Sequence, residues 1–436
     1  MNKKEGKEKK VAFHTLGCKL NFSETSTISR LFKDNGFDIV NFNSNADIYV
    51  INTCSVTGQA DKKCKQAIKK IQHKNPFAYI AVVGCYAQLK ASEIAENLGV
   101  DLVLGTNEKF NILNYIDDLS KNKTPQVYSC EIESVDHFDS SHSEADRTRS
   151  FLKVQDGCDY SCSYCTIPLA RGKSRNKKIT GLVCEASKIA QSGIQEIILT
   201  GVNIGDFGKS TGETFYDLLK ALEKVEGIER IRISSIEPNL LKDEIIEMVS
   251  LSQKILNHFH IPLQSGCNKI LSKMQRRYNR ELFQSRIEKI KQLMPDAFIG
   301  VDVIVGFPGE TDDYFEDTYQ FLQQMDASFY HVFSYSERPN TKSATFSDKV
   351  THRTIHERSK ILHQLAEEKQ RAFYQKNLGK KANVLFESNK KDGLMFGFTE
   401  NYIKVEIPFN RSLIGEIRPV KLIELSVTGN VKAKML

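Results

Sequence analysis

Three things are missing from this 436-residue sequence. There is no apolar run long enough to span a bilayer. There is no export signal either: Met1 to Lys10 is lysine-rich and lacks an apolar stretch, so a soluble, cytoplasmic protein with no membrane partner is expected. Nor is there a strong charge of one sign. The net charge of +7 permits a polyanionic partner without requiring one. At 40% hydrophobic residues, the chain can fill the cores of two or three domains. Without an export signal, its ten cysteines point to metal or redox chemistry before disulfides.

The cysteines carry the pattern. In Gly157-Cys158-Asp159-Tyr160-Ser161-Cys162-Ser163-Tyr164-Cys165, three thiolates can each take one corner of a four-iron cluster and leave the fourth iron open. A cluster that only carries electrons usually has four cysteines, so an open iron suggests chemistry at the metal. S-adenosylmethionine can fill that position through its amino and carboxylate groups. Reduction would cleave its sulfonium and release a 5′-deoxyadenosyl radical, making Cys158, Cys162 and Cys165 the catalytic set. The competing readings are a zinc site or a disulfide pair. Zinc knots pair Cys-x-x-Cys with a second pair or with histidines, and none follows here.

Ahead of this loop, strands predicted at Val11 to Leu16, Ile48 to Asn52, Tyr79 to Val83 and Asp101 to Leu104 alternate with helices at Glu24 to Asp34, Ala60 to Gln72 and Ser92 to Leu98. Such alternation predicts a doubly wound α/β domain over residues 1–130. Cys18, Cys54 and Cys85 each follow one of these strands. Carboxyl ends of parallel strands share one edge, so the three can converge as a second metal site. The alternative is three buried thiols capping strands. Cys64, Cys130, Cys184 and Cys267 fit neither set and read as ordinary thiols. Residues 131–150, rich in Asp, Glu, Ser and His, read as a solvated linker.

From Phe151 the α/β pattern restarts with six further strands, predicting a partial (β/α)6 barrel over residues 151–378 whose site lies at the strand ends. Tyr164 adjoins the last cysteine. Thr200, Gly201 and Asn203 follow the second strand, Ser235 and Glu237 the third, and Gln264 the fourth; all are candidates for binding the cofactor. Arg171, Lys173 and Arg175 form a basic loop beside the cysteines, read either as phosphate contacts or as a solvated loop. After a long charged helix at Thr351 to Leu378, residues 379–436 show short strand patterns between glycines and a net charge of +4. A small β-barrel is expected, with Phe396, Tyr402 and Phe409 as stacking candidates for RNA; capping of the larger barrel or dimerisation is the other use for such a module.

Together these features resemble the radical S-adenosylmethionine methylthiotransferases. The resemblance implies a methylthiotransferase domain, a radical barrel and an RNA-binding TRAM domain, with two 4Fe-4S clusters held by Cys18, Cys54 and Cys85 and by Cys158, Cys162 and Cys165. Gly17 to Asn21, Arg171 to Arg175, Leu199 to Asn203 and Ser234 to Pro238 resemble the branch acting on N6-threonylcarbamoyladenosine in tRNA. The isopentenyladenosine branch tends to have Gln where Lys19 stands, and Cys267 departs from the serine expected after Gln-Ser-Gly. The implied reaction replaces the C2 hydrogen of the adenine 3′ to the anticodon of ANN-decoding tRNAs by a methylthio group. The implied electron source is a reducing partner such as flavodoxin or ferredoxin. Alternatives are methylthiolation of isopentenyladenosine or of a ribosomal protein and, in another class, a non-catalytic iron–sulfur RNA-binding protein.

Overall fold

The computed structural model describes residues 9–116, 124–143 and 148–436. Residues 1–8 of the lysine-rich start, and Glu144 and Asp146 of the polar stretch, lie outside the described residues.

Strands β1 (Lys10–Thr15), β2 (Asp38–Val40), β3 (Ile48–Thr53), β4 (Tyr79–Gly84), β5 (Leu102–Leu104) and β6 (Gln126–Tyr128) form a six-stranded sheet in the order β2-β1-β3-β4-β5-β6. All its pairings are parallel. Helices α1 (Lys19–Asp34), α2 (Gly58–Lys74), α3 (Cys85–Leu89) and α4 (Ala91–Leu98) cover it. Alternation along the strands sorts the core into two faces. Tyr49, Ile51, Ile80 and Val82 pack against α2 and α4, while Ile48, Val50, Tyr79 and Ala81 pack with α1. Cys64 is fully buried in the first of these cores, an ordinary apolar thiol. β2 and β6 escape sequence reading because each has three residues and sits partly exposed at an edge, leaving no apolar pattern.

A second set of six strands follows: β7 (Arg149–Lys153), β8 (Glu196–Thr200), β9 (Arg230–Ile233), β10 (His258–Gln264), β11 (Phe298–Val305) and β12 (Phe329–Ser334). They form two parallel three-stranded sheets, β7-β8-β9 and β10-β11-β12. Among the described residues, the isolated parallel bridges Ile231–Ile255 and Ser235–His260 are the sheet contacts between the halves, so the barrel is open and partial. One large apolar core lies between strands and helices.

The helix His352–Asn377 is capped by Thr351, whose hydroxyl accepts from the Thr354 N–H. It leads to β13 (Lys381–Lys391), β14 (Leu394–Thr399), β15 (Lys404–Pro408), β16 (Ile417–Leu425) and β17 (Val431–Met435), a closed barrel in the order β13-β14-β15-β17-β16. Arginines of the larger barrel fasten it. Arg230 donates to the carbonyls of Asn383 (2.8 Å) and Phe398 (3.2 Å), and Arg149 pairs with Glu387 at 2.6 Å.

The solvated linker expected at residues 131–150 is largely exposed over residues 131–137 but packs inward at residues 141–143. Ser141, His142 and Ser143 are buried; His142 bridges Leu152 in antiparallel register, and the Ser141 and Ser23 hydroxyls meet at 3.0 Å. Runs of short polar side chains look solvated in sequence, yet here their hydroxyls bond across to α1 and β7.

Candidate active site: two cysteine sets joined by a buried arginine

The loop after β7 is held from several directions. The Cys158 N–H donates to Gly172 O (3.0 Å), Asp156 and Arg175 exchange two backbone bonds of 2.9 Å, and the Ser163 N–H donates to Met274 O (3.0 Å). Gly157 has φ +69°, and a Cβ there would lie 1.9 Å from Lys173 O, so only glycine fits. Burial pushes the Cys158 thiol up to about 11 and that of Cys165 up to about 12. Without metal these thiols stay protonated at neutral pH, so iron binding displaces their protons.

Cys18, Cys54 and Cys85 meet at the carboxyl edge of the first sheet. Cys18 caps α1, Cys54 follows β3, and Cys85 opens α3. Gly17, at φ +105°, lets the backbone pass Cys54, whose Cβ would lie 2.6 Å from an added methyl. Burial, with Cys85 adding to it, pushes the Cys54 thiol up to about 12.

Each set offers three free thiols, the donor type that an iron–sulfur cluster takes.

The short helix α5 (Ile167–Arg171) links the two sets. It begins two residues after Cys165, and its last residue, Arg171, is 1% exposed. The Arg171 Nε donates to Cys85 Sγ at 3.2 Å. Its other nitrogens reach Glu24 (2.9 Å), Asp156 (3.0 Å) and the Asn21 amide oxygen (2.8 Å). Lys109 and Lys153 also pair with Glu24, at 2.6 and 3.3 Å, and Lys153 and Arg175 pair with Asp156. Four buried cations therefore surround two buried carboxylates. Burial alone would raise Glu24, but Arg171, Lys109 and Lys153 override it and hold its carboxyl far below the usual range; Asp156 is held low in the same way. The excess of positive charge lies against Cys85.

These contacts correct part of the sequence reading. Arg171 and Arg175 are not free to meet phosphate. Arg175 spends its donors on the carbonyls of His137, Arg171 and Lys173 and on Asp156. Lys173 alone of the three is exposed. Thr200 is buried, and its hydroxyl donates to Leu152 O at 3.2 Å. Tyr402 stacks on Phe398 at 4.8 Å and lies 4.6 Å from the ring of His258, facing the larger barrel. Phe396 and Phe409 stay half-exposed, with Lys404 and Lys390 over their rings.

Of the remaining candidates, Tyr164 lies in the radical loop and Glu237 reaches it through Arg276. Tyr164 meets Phe307 edge-on at 6.2 Å. Glu237 pairs with Arg276, and burial raises its carboxyl above the usual range despite that partner. Asn203 is buried with its Oδ1 unpartnered, an acceptor available to a ligand. Gly201 packs against Gln155, Ser235 bridges to His260, and Gln264 takes the left-handed conformation at φ +71°, rare for a side chain other than glycine.

Sequence reasoning missed two residues. Arg276 donates to Cys162 Sγ at 3.1 Å and to the Tyr164 hydroxyl at 3.4 Å. Gln155 accepts from the N–H groups of Val202 and Asn203 and donates to Gly157 O at 2.7 Å, tying the cysteine loop to the end of β8. A polar residue at the end of an apolar strand was the available signal for Gln155; Arg276 comes from a turn with no pattern.

Residues 152–322 match the family model for the radical SAM superfamily, and residues 10–105 match an uncharacterized protein family, UPF0004. The chain is 40% identical over 428 residues to the threonylcarbamoyladenosine tRNA methylthiotransferase MtaB of Bacillus subtilis, spanning 96% of this chain and 95% of that protein. It is 32% identical to the tRNA-2-methylthio-N(6)-dimethylallyladenosine synthase of Clostridium botulinum, over 95% of each chain. Among solved structures, the radical S-adenosylmethionine methyltransferase TsrM of Kitasatospora setae shares the fold, with a TM-score of 0.55 and 14% identity over 77% of each chain. Near-complete alignment with two such enzymes, on a fold that brings two cysteine sets together, decides the matter: this chain belongs to the radical S-adenosylmethionine tRNA methylthiotransferase family.

Proposed function

We propose that the protein converts N6-threonylcarbamoyladenosine, 3′ to the anticodon of ANN-decoding tRNAs, to its 2-methylthio derivative. The observation that carries this reading is the Arg171 bridge: one buried side chain starts beside the radical loop and ends on Cys85, which supports a reading in which both cysteine sets act on one substrate. Bound 4Fe-4S clusters and S-adenosylmethionine would supply the carbon radical, the methyl group and a sulfur to carry it. Cys158, Cys162 and Cys165 would hold one cluster, and Cys18, Cys54 and Cys85 the other. An aromatic C–H has no acidity for a base to exploit, so the reaction calls for a carbon radical and not a general base.

The protein's own residues position and shield. Arg276 places a guanidinium against Cys162 and orients Tyr164. Gln155 fixes the loop after β8, where the unpartnered Asn203 Oδ1 awaits a donor such as the amino group of a bound cofactor. RNA would be gripped by Lys173 and by the lysine-covered rings of Phe396 and Phe409, with anticodon-loop bases splayed toward the clusters. A flavodoxin or ferredoxin would supply electrons.

Mass spectrometry of nucleosides from total tRNA, in cells with and without the gene, tests the reading. The expected result is loss of the methylthio nucleoside and accumulation of its parent. An unchanged level would refute the substrate and redirect attention to the 32%-identical relatives' substrate, dimethylallyladenosine.

A further inference from the structure

Lys19 follows Cys18 directly and projects into a cavity of about 330 Å³, where the end strands of the open barrel meet the C-terminal barrel. His258, His260, His331, Phe398 and Tyr402 line the same space. Among the described residues Lys19 makes no ion pair and no side-chain hydrogen bond. Asp302, the carboxylate near it, is committed to His260 Nε2 at 2.7 Å. His258 is 5% exposed, and its Nδ1 has no partner. A second cationic side chain, Lys404, lines the cavity as well.

This space suits an anion. His260, Asp302 and His331 bring ligand-type atoms within 4.8 Å of one another, but the Lys19 ammonium opposes a cation there, and the two imidazoles stack face to face at 4.9 Å instead of converging. A half-buried ammonium without a counterion favours an anion, and an anionic ligand with a hydrogen-bonding group beside it would satisfy both Lys19 and the unpartnered His258 Nδ1. Aromatic walls complete a site for a small polar substituent joined to a flat base.

Resting on the substrate proposed above, we infer that this cavity is the specificity pocket for the threonylcarbamoyl group, with Lys19 pairing with its carboxylate. The adenine ring then lies toward Cys18, since Lys19 and Cys18 are adjacent in the chain. An isopentenyl group has no charge to offer Lys19 and would leave the ammonium uncompensated, so Lys19 both attracts one substrate and rejects the other.

The test measures binding of anticodon stem-loop RNAs to the cluster-loaded enzyme by fluorescence anisotropy, using loops with N6-threonylcarbamoyladenosine, its carboxyl methyl ester, or isopentenyladenosine. The wild type should bind the free carboxylate at least about tenfold tighter than the ester. Lys19→Gln should bind both alike, and Lys19→Arg should restore most of the gap. Equal binding of acid and ester by the wild type overturns the inference, as does a tenfold gap that survives in Lys19→Gln. Weakened S-adenosylmethionine binding by Lys19→Gln, with the RNA preference intact, would assign the lysine to the cofactor's carboxylate and also overturn it. The acid–ester comparison uses wild-type protein alone, so it decides the case even if a Lys19 variant folds poorly. Turnover separates the two readings: wild-type enzyme that methylthiolates only the isopentenyl loop refutes the substrate, whereas turnover of the threonylcarbamoyl loop without acid–ester discrimination refutes the pocket alone.

Discussion

The two cysteine sets reach similar ends by opposite routes. Cys158, Cys162 and Cys165 lie within one loop, shaped by Gly157 and pinned by nearby backbone bonds. Cys18, Cys54 and Cys85 come from three strand ends and meet only because β1, β3 and β4 are adjacent and in register. A local site is carried by its own sequence, while a convergent site depends on a whole sheet. The convergent set is also the one bordered by Arg171 and its carboxylates, so its charge balance is drawn from both α/β regions.

Removing one ligand from each set gives the widest separation. Cys158→Ala should reduce 5′-deoxyadenosine formation from S-adenosylmethionine to background, and product formation with it. Normal cleavage in this variant, followed by chromatography, would end the assignment of the radical loop. Cys18→Ala should keep that cleavage and lose the methylthio nucleoside; detection of the nucleoside by mass spectrometry would remove Cys18 from the second site.

Arg171 tests the dependence between the sets. Arg171→Met leaves Glu24 and Asp156 with fewer partners and should cost about 3–5 kcal/mol in denaturant unfolding. Both carboxyls are held below their usual range, so their contribution is full above about pH 4 and falls away as pH drops through the lower folded values. The variant should therefore unfold at a higher pH on acidification. Its iron content should fall more at the convergent set than at the loop, which iron analysis in the Cys158→Ala and Cys18→Ala backgrounds resolves. Equal loss from both would show that Arg171 supports the whole fold.

The smallest effect is expected at the surface. Lys173→Ala should leave stability unchanged, weaken tRNA binding uniformly and lower the salt slope of log K by about one. Arg175→Ala, one turn of the same loop away, should instead destabilise the protein, because its donors hold carbonyls of that loop. Identical behaviour of the two variants would erase the distinction between an exposed and a buried arm of the basic loop.

That basic loop shows where sequence reading stops. Its charges are plain in sequence, but whether a guanidinium faces solvent or a buried carboxylate depends on residues far away: Glu24 lies 147 positions from Arg171. The packing of Ser141 to Ser143 escapes sequence reading for the same reason, since their partners belong to other elements. Tyr402 suggested a stacking ring on the surface of the small barrel and instead lines the cavity beside His258 and Lys19.

The sequence by itself determined the parts that repeat or lie close together: two runs of parallel α/β units, a terminal β-barrel, and a three-cysteine loop whose spacing alone matches a cluster with an open iron. Periodicity and short spacing are local properties, and they survive without knowledge of packing. Tertiary structure decided what depends on distance across the fold. It brought three remote strand ends to one edge, turned a basic loop inward to join two cysteine sets, and left one lysine unpaired in a cavity. The inward turn of the basic loop follows from burial, where a charge must find its partner wherever the chain has placed it.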